Sequence, residues 1–269
     1  MDYKDICLQT VALAQHVGAF VRNERKQFDV NGIEQKGKND FVTYVDKASE
    51  EKLVHGLSSI LPDAGFIAEE QTSTYRADDY NWIIDPIDGT TNFIHGLPPH
   101  AISIALQYKH EIVVGVVYEI VLDECFYAWQ GSKSYLNGNE ISVSKTTSVE
   151  KSLIATGFPY NDYSRMDAFV DTMKYFFTHS HGLRRIGSAA TDLAYVACGR
   201  FDAFYEYALK PWDVAAGALI VKQAGGAVCD FSGLDTFLVG GEIIASNNAI
   251  YDEMKNIICP IMNRKYLFV

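Results

Sequence analysis

The sequence predicts a layered α/β sandwich. Three observations point there: helical-period segments and short apolar strands follow one another along the chain, an antiparallel meander occupies its middle, and 48% hydrophobic content supplies a core for one large unit or two closely packed halves. No segment of 20 to 50 residues repeats, which excludes a solenoid.

Ile6, Val11, Ala14, Val17 and Val21 recur at helical spacing, so residues 3–26 read as an amphipathic helix. The polar stretch Glu34–Asp40, with Gly37, reads as a loop. A second helix is predicted over 44–59, with Asp46 in its first turn and Leu61-Pro62 ending it. Gly65–Ala68 is a short strand leading to Glu69-Glu70. Trp82–Ile84 is another, leading into Asp85-Pro86-Ile87-Asp88-Gly89, whose Asp-Pro and Asp-Gly pairs are turn dipeptides.

From Ala101 to Val143 apolar runs alternate with polar breaks, and Asn137-Gly138 is a hairpin signal. Polar residues 144–151 separate an N-terminal half, 1–145, from a C-terminal half, 146–269. In the second half strands are predicted at 152–156, 203–207, around Val228 and at 243–245, with residues 183–186 extended. Helices are predicted at 164–178, 188–198, 212–224 and 249–258.

Lys plus Arg number 23 against 34 Asp plus Glu, a formal charge of -11, which argues against a phosphate-binding nucleic-acid surface. Acidity of this size suits both a cation site and simple solubility. The five cysteines are scattered, with no CxxC pair, so neither a disulfide framework nor a zinc ribbon is expected. The start of the chain lacks the pattern of a signal peptide and no run reaches the ~18 apolar residues of a membrane span, so a cytoplasmic location is expected.

Five acids invite a chemical reading: Asp46, Glu69, Asp85, Asp88 and Asp213, the last within Trp212-Asp213-Val214. Asp46 and Asp213 each have a structural reading as a helix-start carboxylate. As a group, hard oxygen donors without His or Cys point to Mg²⁺ or Mn²⁺. Gly89-Thr90-Thr91, next to the acids, is expected to turn into a helix whose free N–H groups can hold a phosphate oxygen. The chain has neither a GxxxxGK[ST] loop nor a GxGxxG fingerprint, which favours hydrolysis over nucleotide-driven transfer.

Asp85-Pro86-Ile87-Asp88-Gly89-Thr90-Thr91-Asn92-Phe93, with Glu69-Glu70 before it and Trp212-Asp213-Val214-Ala215-Ala216-Gly217 after it, resembles the inositol monophosphatase family of lithium-sensitive, Mg²⁺-dependent phosphatases. The resemblance runs from the first helix to about residue 258. It implies an αβαβα sandwich of mixed, largely antiparallel sheets, the type of fructose-bisphosphatase and inositol phosphatase. It also implies a homodimer and two to three bound metal ions. Glu69, Asp85, the Ile87 carbonyl, Asp88 and Asp213 would hold the metals. Thr90 with Asp46 would orient and deprotonate the attacking water, aided by Glu69.

For the substrate, the same resemblance implies phosphate contacts from Gly89 and Thr90. It implies contacts to the organic part from Gly187, Ser188, Ala189 and Glu206, and a loop lysine, Lys36, in the Lys36-Gly37-Lys38-Asn39-Asp40 segment. Gly-Ser-Ala also reads as plain helix entry, and Lys36 as a solvated charge. The expected substrate is myo-inositol monophosphate or a related polyol phosphate. NADP 2′-phosphate, another nucleotide or sugar phosphate, and a non-catalytic regulatory role on this fold stand as alternatives. Neither nucleic acid nor membrane is an expected partner.

Overall fold

A computed structural model describes residues 1–28, 33–37, 40–160 and 162–264. Its first element, α1 (Tyr3–Lys26), opens on Asp2, whose side chain accepts hydrogen bonds from the N–H groups of Lys4 and Asp5, and turns Ile6, Cys7, Ala14, Val17 and Val21 inward. A short hairpin, β1 (Ile33–Gly37) and β2 (Asp40–Thr43), then leads to α2 (Tyr44–Ile60). Of the stretch 34–40 expected as a loop, residues 34–37 thus belong to β1 and Asp40 begins β2. They pair through the backbone and carry no apolar alternation that would have announced a strand.

Seven strands form the larger sheet in the order β3-β4-β5-β6-β7-β8-β9. They are β3 (Gly65–Ala68), β4 (Tyr80–Asp88), β5 (Ala101–Tyr108), β6 (Glu111–Glu119), β7 (Glu124–Trp129), β8 (Ser134–Leu136) and β9 (Asn139–Ile141). Only β3 and β4 pair in parallel; the others form the expected meander. Asn137 and Gly138, both at positive φ, make the tight β8–β9 turn. A short helix, α3 (Thr90–His95), links β4 to β5.

The smaller sheet has the order β11-β10-β12-β14-β13, with both parallel pairs made by β10. Its strands are β10 (Leu153–Thr156), β11 (Gly182–Arg184), β12 (Ala203–Tyr207), β13 (Gly226–Cys229) and β14 (Glu242–Asn247). The accompanying helices are α4 (Met166–His179), α5 (Ala189–Ala197), α6 (Pro211–Gln223), α7 (Phe237–Gly240) and α8 (Tyr251–Met262). The one-turn α7 has no counterpart in the sequence reading, because four residues are too few to show a period.

Three hydrophobic clusters define the layers. Helices α1 and α2 cover one face of the large sheet through Val17, Val21, Leu53, Leu57 and Trp82. The other face packs through Ala105, Val117 and Phe126 on α5 and α6, whose far side meets Phe204 and Ala245 of the small sheet. Helices α4 and α8 close the outer face with Phe169, Phe176, Met254 and Ile258. The result is the αβαβα sandwich expected. Helix α6 lies between two sheets and is apolar all round, as a central helix must be.

Candidate active site

The acids converge where β3, β4, α2 and α6 meet. Strand β4 does not stop at Ile84: it continues to Asp88, with an irregularity in its pairing to β5 between Asp85 and Asp88. The turn read there from Asp-Pro and Asp-Gly is instead a bulge, because Ile87 is buried and β5 supplies a partner on both sides of it. The bulge lets Asp85 and Asp88 face one site, and the Asp85 carboxylate accepts from the Ile87 N–H at 2.9 Å. Gly89 follows at φ 93, ψ 39, a left-handed conformation suited to glycine, and starts α3. A side chain at 89 would also meet the carbonyl oxygens of Gly187 at 3.0 Å and Pro99 at 3.2 Å.

Asp213 arrives from the first turn of α6. One of its oxygens, Oδ2, accepts from the Lys210 N–H at 2.7 Å. Asp85, Asp88 and Asp213 each present an oxygen within 4.8 Å of the other two. Glu69, just beyond β3, hydrogen-bonds to Asp85. Burial, and then the charges of Glu69, Asp88 and Asp213, push the Asp85 carboxyl well above the usual carboxylate range. Asp88 is raised to about 6, chiefly by burial, although Ser188 Oγ at 2.6 Å and the Ala190 N–H at 2.7 Å both donate to it. An all-oxygen cluster that repels itself when ionised fits a hard divalent cation such as Mg²⁺.

Asp46 has a double role in geometry. Its Oδ2 accepts from the Thr43 N–H at 2.8 Å and the Thr43 hydroxyl at 2.6 Å, closing a capping box on α2. Its Oδ1 lies 3.2 Å from the Thr90 hydroxyl, which is also 3.1 Å from the Ile87 carbonyl. The two sequence readings of Asp46, helix cap and site residue, are therefore compatible. Burial raises its carboxyl above the normal range, and the Thr43 and Thr90 hydrogen bonds oppose the rise.

A cleft of about 410 Å³ opens over the cluster. Glu69, Asp85, Ile87, Asp88, Gly89, Thr90, Gly187, Ser188, Ala189, Glu206 and Asp213 all line it. Asp46 touches the cleft through Thr90. Lys36 belongs to β1, but its side chain, like Lys38 and Asn39, lies outside the described residues. Glu206 is buried on β12 with its carboxylate against Gly157, where an added Cβ would lie 2.0 Å from it.

Three residues of the site escaped the sequence reading. Glu50, buried in α2, accepts from the N–H groups of Glu70 at 2.7 Å and Thr72 at 2.9 Å and from the Thr72 hydroxyl at 2.8 Å, tying down the segment that carries Glu69. The Asn92 amide donates to the carbonyls of Pro99 and Ile186, both at 2.8 Å, and so joins α3 to the Gly187 loop. Asp192, in α5, borders the cleft with its carboxyl buried. Asn92 sits inside the motif quoted above; the other two have no local signal.

A family model described as the inositol monophosphatase family matches residues 2–263. The chain is 40% identical over 252 residues to a protein of Pseudomonas aeruginosa named Nus factor SuhB, covering 92% of this chain and 93% of that one. Among solved structures, an IMPase of Thermotoga maritima superposes with a TM-score of 0.87 at 35% identity, over 97% of this chain and 98% of that one. The extragenic suppressor protein suhB of Bartonella henselae superposes with the same TM-score, 0.87, at 35% identity, over 93% and 96% of the two chains.

Proposed function

Given that the chain belongs to the inositol monophosphatase family, we propose that it is a Mg²⁺-dependent phosphomonoesterase acting on myo-inositol monophosphate or a related polyol phosphate, as a cytoplasmic homodimer. The observation that carries this reading is the meeting of Asp85, Asp88 and Asp213 with the Thr90–Asp46 pair at one cleft. Glu69, Asp85, the Ile87 carbonyl, Asp88 and Asp213 would hold two to three Mg²⁺ ions. Held there, Mg²⁺ would supply Lewis-acid chemistry: neutralised charge at the phosphate, a more acidic water and a stabilised leaving alkoxide.

Around it the chain does the positioning. Thr90, held by Asp46, orients the attacking water, and Asp46, buried and raised, accepts its proton through the Thr90 hydroxyl. The N–H groups of Gly89 and Thr90 bind phosphate oxygens. Gly187, Ser188, Ala189 and Glu206 face the organic part, and Lys36 contributes from the β1–β2 segment. Glu206 is an acceptor suited to a ring hydroxyl.

The test is phosphate release by purified protein with Mg²⁺, over a panel of inositol, sugar and nucleotide phosphates, NADP included. Turnover is expected, with the highest kcat/KM for an inositol phosphate and inhibition by millimolar Li⁺. No turnover on any ester would sink the reading, and a preference for NADP would move the substrate to the nucleotide branch. Sedimentation tests the dimer. A regulatory role is a second reading, favoured by the 40% identity to a protein named Nus factor SuhB. Retention of the Thr90–Asp46 pair weighs against a purely non-catalytic chain, since binding alone has no use for it.

A further inference from the structure

Asp192 is an acid with nothing around it to explain an acid. It is 1% exposed, and among the described residues neither of its carboxyl oxygens has a hydrogen-bond partner. Its neighbours on α5 are Ala189, Ala190, Leu193 and Ala194, all buried in the core between the sheets. The charges near it are of the wrong sign: Glu206 and Asp88 both oppose its ionisation, and Arg185 alone favours it. A buried carboxyl with two unpaired oxygens is costly, and an apolar side chain of similar size would suit the core better. Of two cavities among the described residues, the cleft alone has Asp192 in its lining, which makes a group bound there the candidate for the partner the carboxyl lacks within the fold.

The position is favourable for that. Asp192 lies one helical turn after Ser188 and two residues after Ala190, the two groups that donate to Asp88. It therefore borders the cleft beside the metal-binding acids, on the side where Glu206 also stands. Arg185, its guanidinium over the Phe158 ring at 5.3 Å, lines the same side. Its charge makes a cationic group a poor occupant and leaves a neutral hydrogen-bonding group as the natural one.

We infer that Asp192 is a specificity-determining residue whose carboxyl hydrogen-bonds a hydroxyl group on the organic part of the phosphate ester, next to the hydroxyl taken by Glu206. The inference rests on the cleft being the phosphate-ester site. It narrows the substrate class to esters carrying at least two hydroxyls spaced to meet Glu206 and Asp192 together.

Two measurements test it. Kinetics of the unsubstituted chain, Asp192→Leu and Asp192→Asn are compared on myo-inositol 1-phosphate and on p-nitrophenyl phosphate, which has no hydroxyl. The leucine variant is expected to lose at least about tenfold in kcat/KM on the polyol ester, mostly through KM, and to stay within about twofold on the aryl ester. The asparagine variant, which keeps an acceptor, should fall between, and the leucine variant should melt no lower than the parent. Equal losses on both esters, or none on either, overturn the inference; if the leucine variant fails to fold, the asparagine variant decides by the same criterion.

Calorimetry supplies a readout free of turnover. With Mg²⁺ present and Asp46→Asn slowing hydrolysis, the chain with Asp192 intact should bind myo-inositol 1-phosphate more tightly than inorganic phosphate, and Asp192→Leu should remove most of that difference. Absence of the difference overturns the inference. Its presence in a chain whose unsubstituted form hydrolyses nothing supports the inference and refutes the hydrolase reading alone.

Discussion

Asp46 gives Oδ2 to the start of α2 and Oδ1 to Thr90, and Asp213 accepts from the Lys210 N–H at the start of α6 while also offering an oxygen to the acid cluster. Their helix-cap reading and their chemical reading were never rivals, because a carboxylate has two oxygens. Asp88 is built differently: Oδ2 accepts from Ser188 and Ala190, contacts an amide oxygen can keep. Asp88→Asn should therefore melt within a few degrees of the parent yet lose about a hundredfold or more in kcat, measured by thermal unfolding beside phosphate release. Glu50 acts at one remove. Glu50→Gln leaves at least one of its three donors unmatched, so Mg²⁺ affinity by calorimetry should fall ~10- to 100-fold, while kcat at saturating Mg²⁺ changes far less. An unchanged affinity would show that the segment after β3 holds its shape without Glu50. The acids at 85, 88 and 213 were legible in the sequence because few folds need those residue types in that wording. Glu50 and Asp192 were not, since their meaning lies in contacts, or missing contacts, with residues distant in sequence.

At the scale of elements, α6 decides where Asp213 sits, and it does so by close approach. A Cβ at Gly115 on β6 would lie 2.7 Å from the Ala216 carbonyl oxygen, and one at Gly217 would lie 2.5 Å from the Leu193 Cβ. The obstacle at Gly115 is backbone, which cannot swing aside as a side chain can. Gly115→Ala should accordingly cost about 1–3 kcal/mol in urea unfolding and weaken Mg²⁺ binding by shifting α6. Stability within error of the parent would mean that the strand and helix separate freely. Helices α1, α2, α4, α5 and α6 were legible from their periodicity, as was the meander from its alternation. The β1–β2 hairpin was not, because Glu34, Gln35 and Lys36 offer no apolar face to read. The bulge of β4 was misread because its turn dipeptides obey local preference, whereas the pairing with β5 and the burial of Ile87 override it.

For the whole molecule, the acids proposed to hold metal also titrate, whereas His100 responds to pH alone. His100, packed edge-on against Phe93 with ring centroids 5.5 Å apart, is pulled down to about 4 by burial, with the Arg25 charge adding to the effect. The unfolded chain protonates this ring near 6.5, so between pH 6.5 and 4 it binds more protons than the folded one and stability falls as pH falls. From pH 7 to 5 the loss from this ring is about 2 kcal/mol. The raised carboxyls of Asp46 and Asp85 act in the opposite direction, gaining stability as acid protonates them. Subtracting urea unfolding of His100→Gln from that of the parent isolates the ring; equal pH slopes for the two would contradict its assignment. For the metal, ions bound only by the folded state should raise Tm by an amount that grows with the logarithm of Mg²⁺ concentration above Kd, and EDTA should reverse it. A Tm indifferent to Mg²⁺ would argue that the acids bind none.

The repulsion among Glu69, Asp85, Asp88 and Asp213 also bears on how long a molecule of this protein survives. Without a cation to offset that repulsion the chain should open more often, and opening is what exposes a backbone to proteases. If the acids hold metal as proposed, the intact lifetime of each copy would become a gauge of the divalent cation around it. Limited proteolysis should read this directly, cutting the EDTA-treated protein faster than the Mg²⁺-loaded one, and cutting both alike once Asp88→Asn has removed a charge and a ligand.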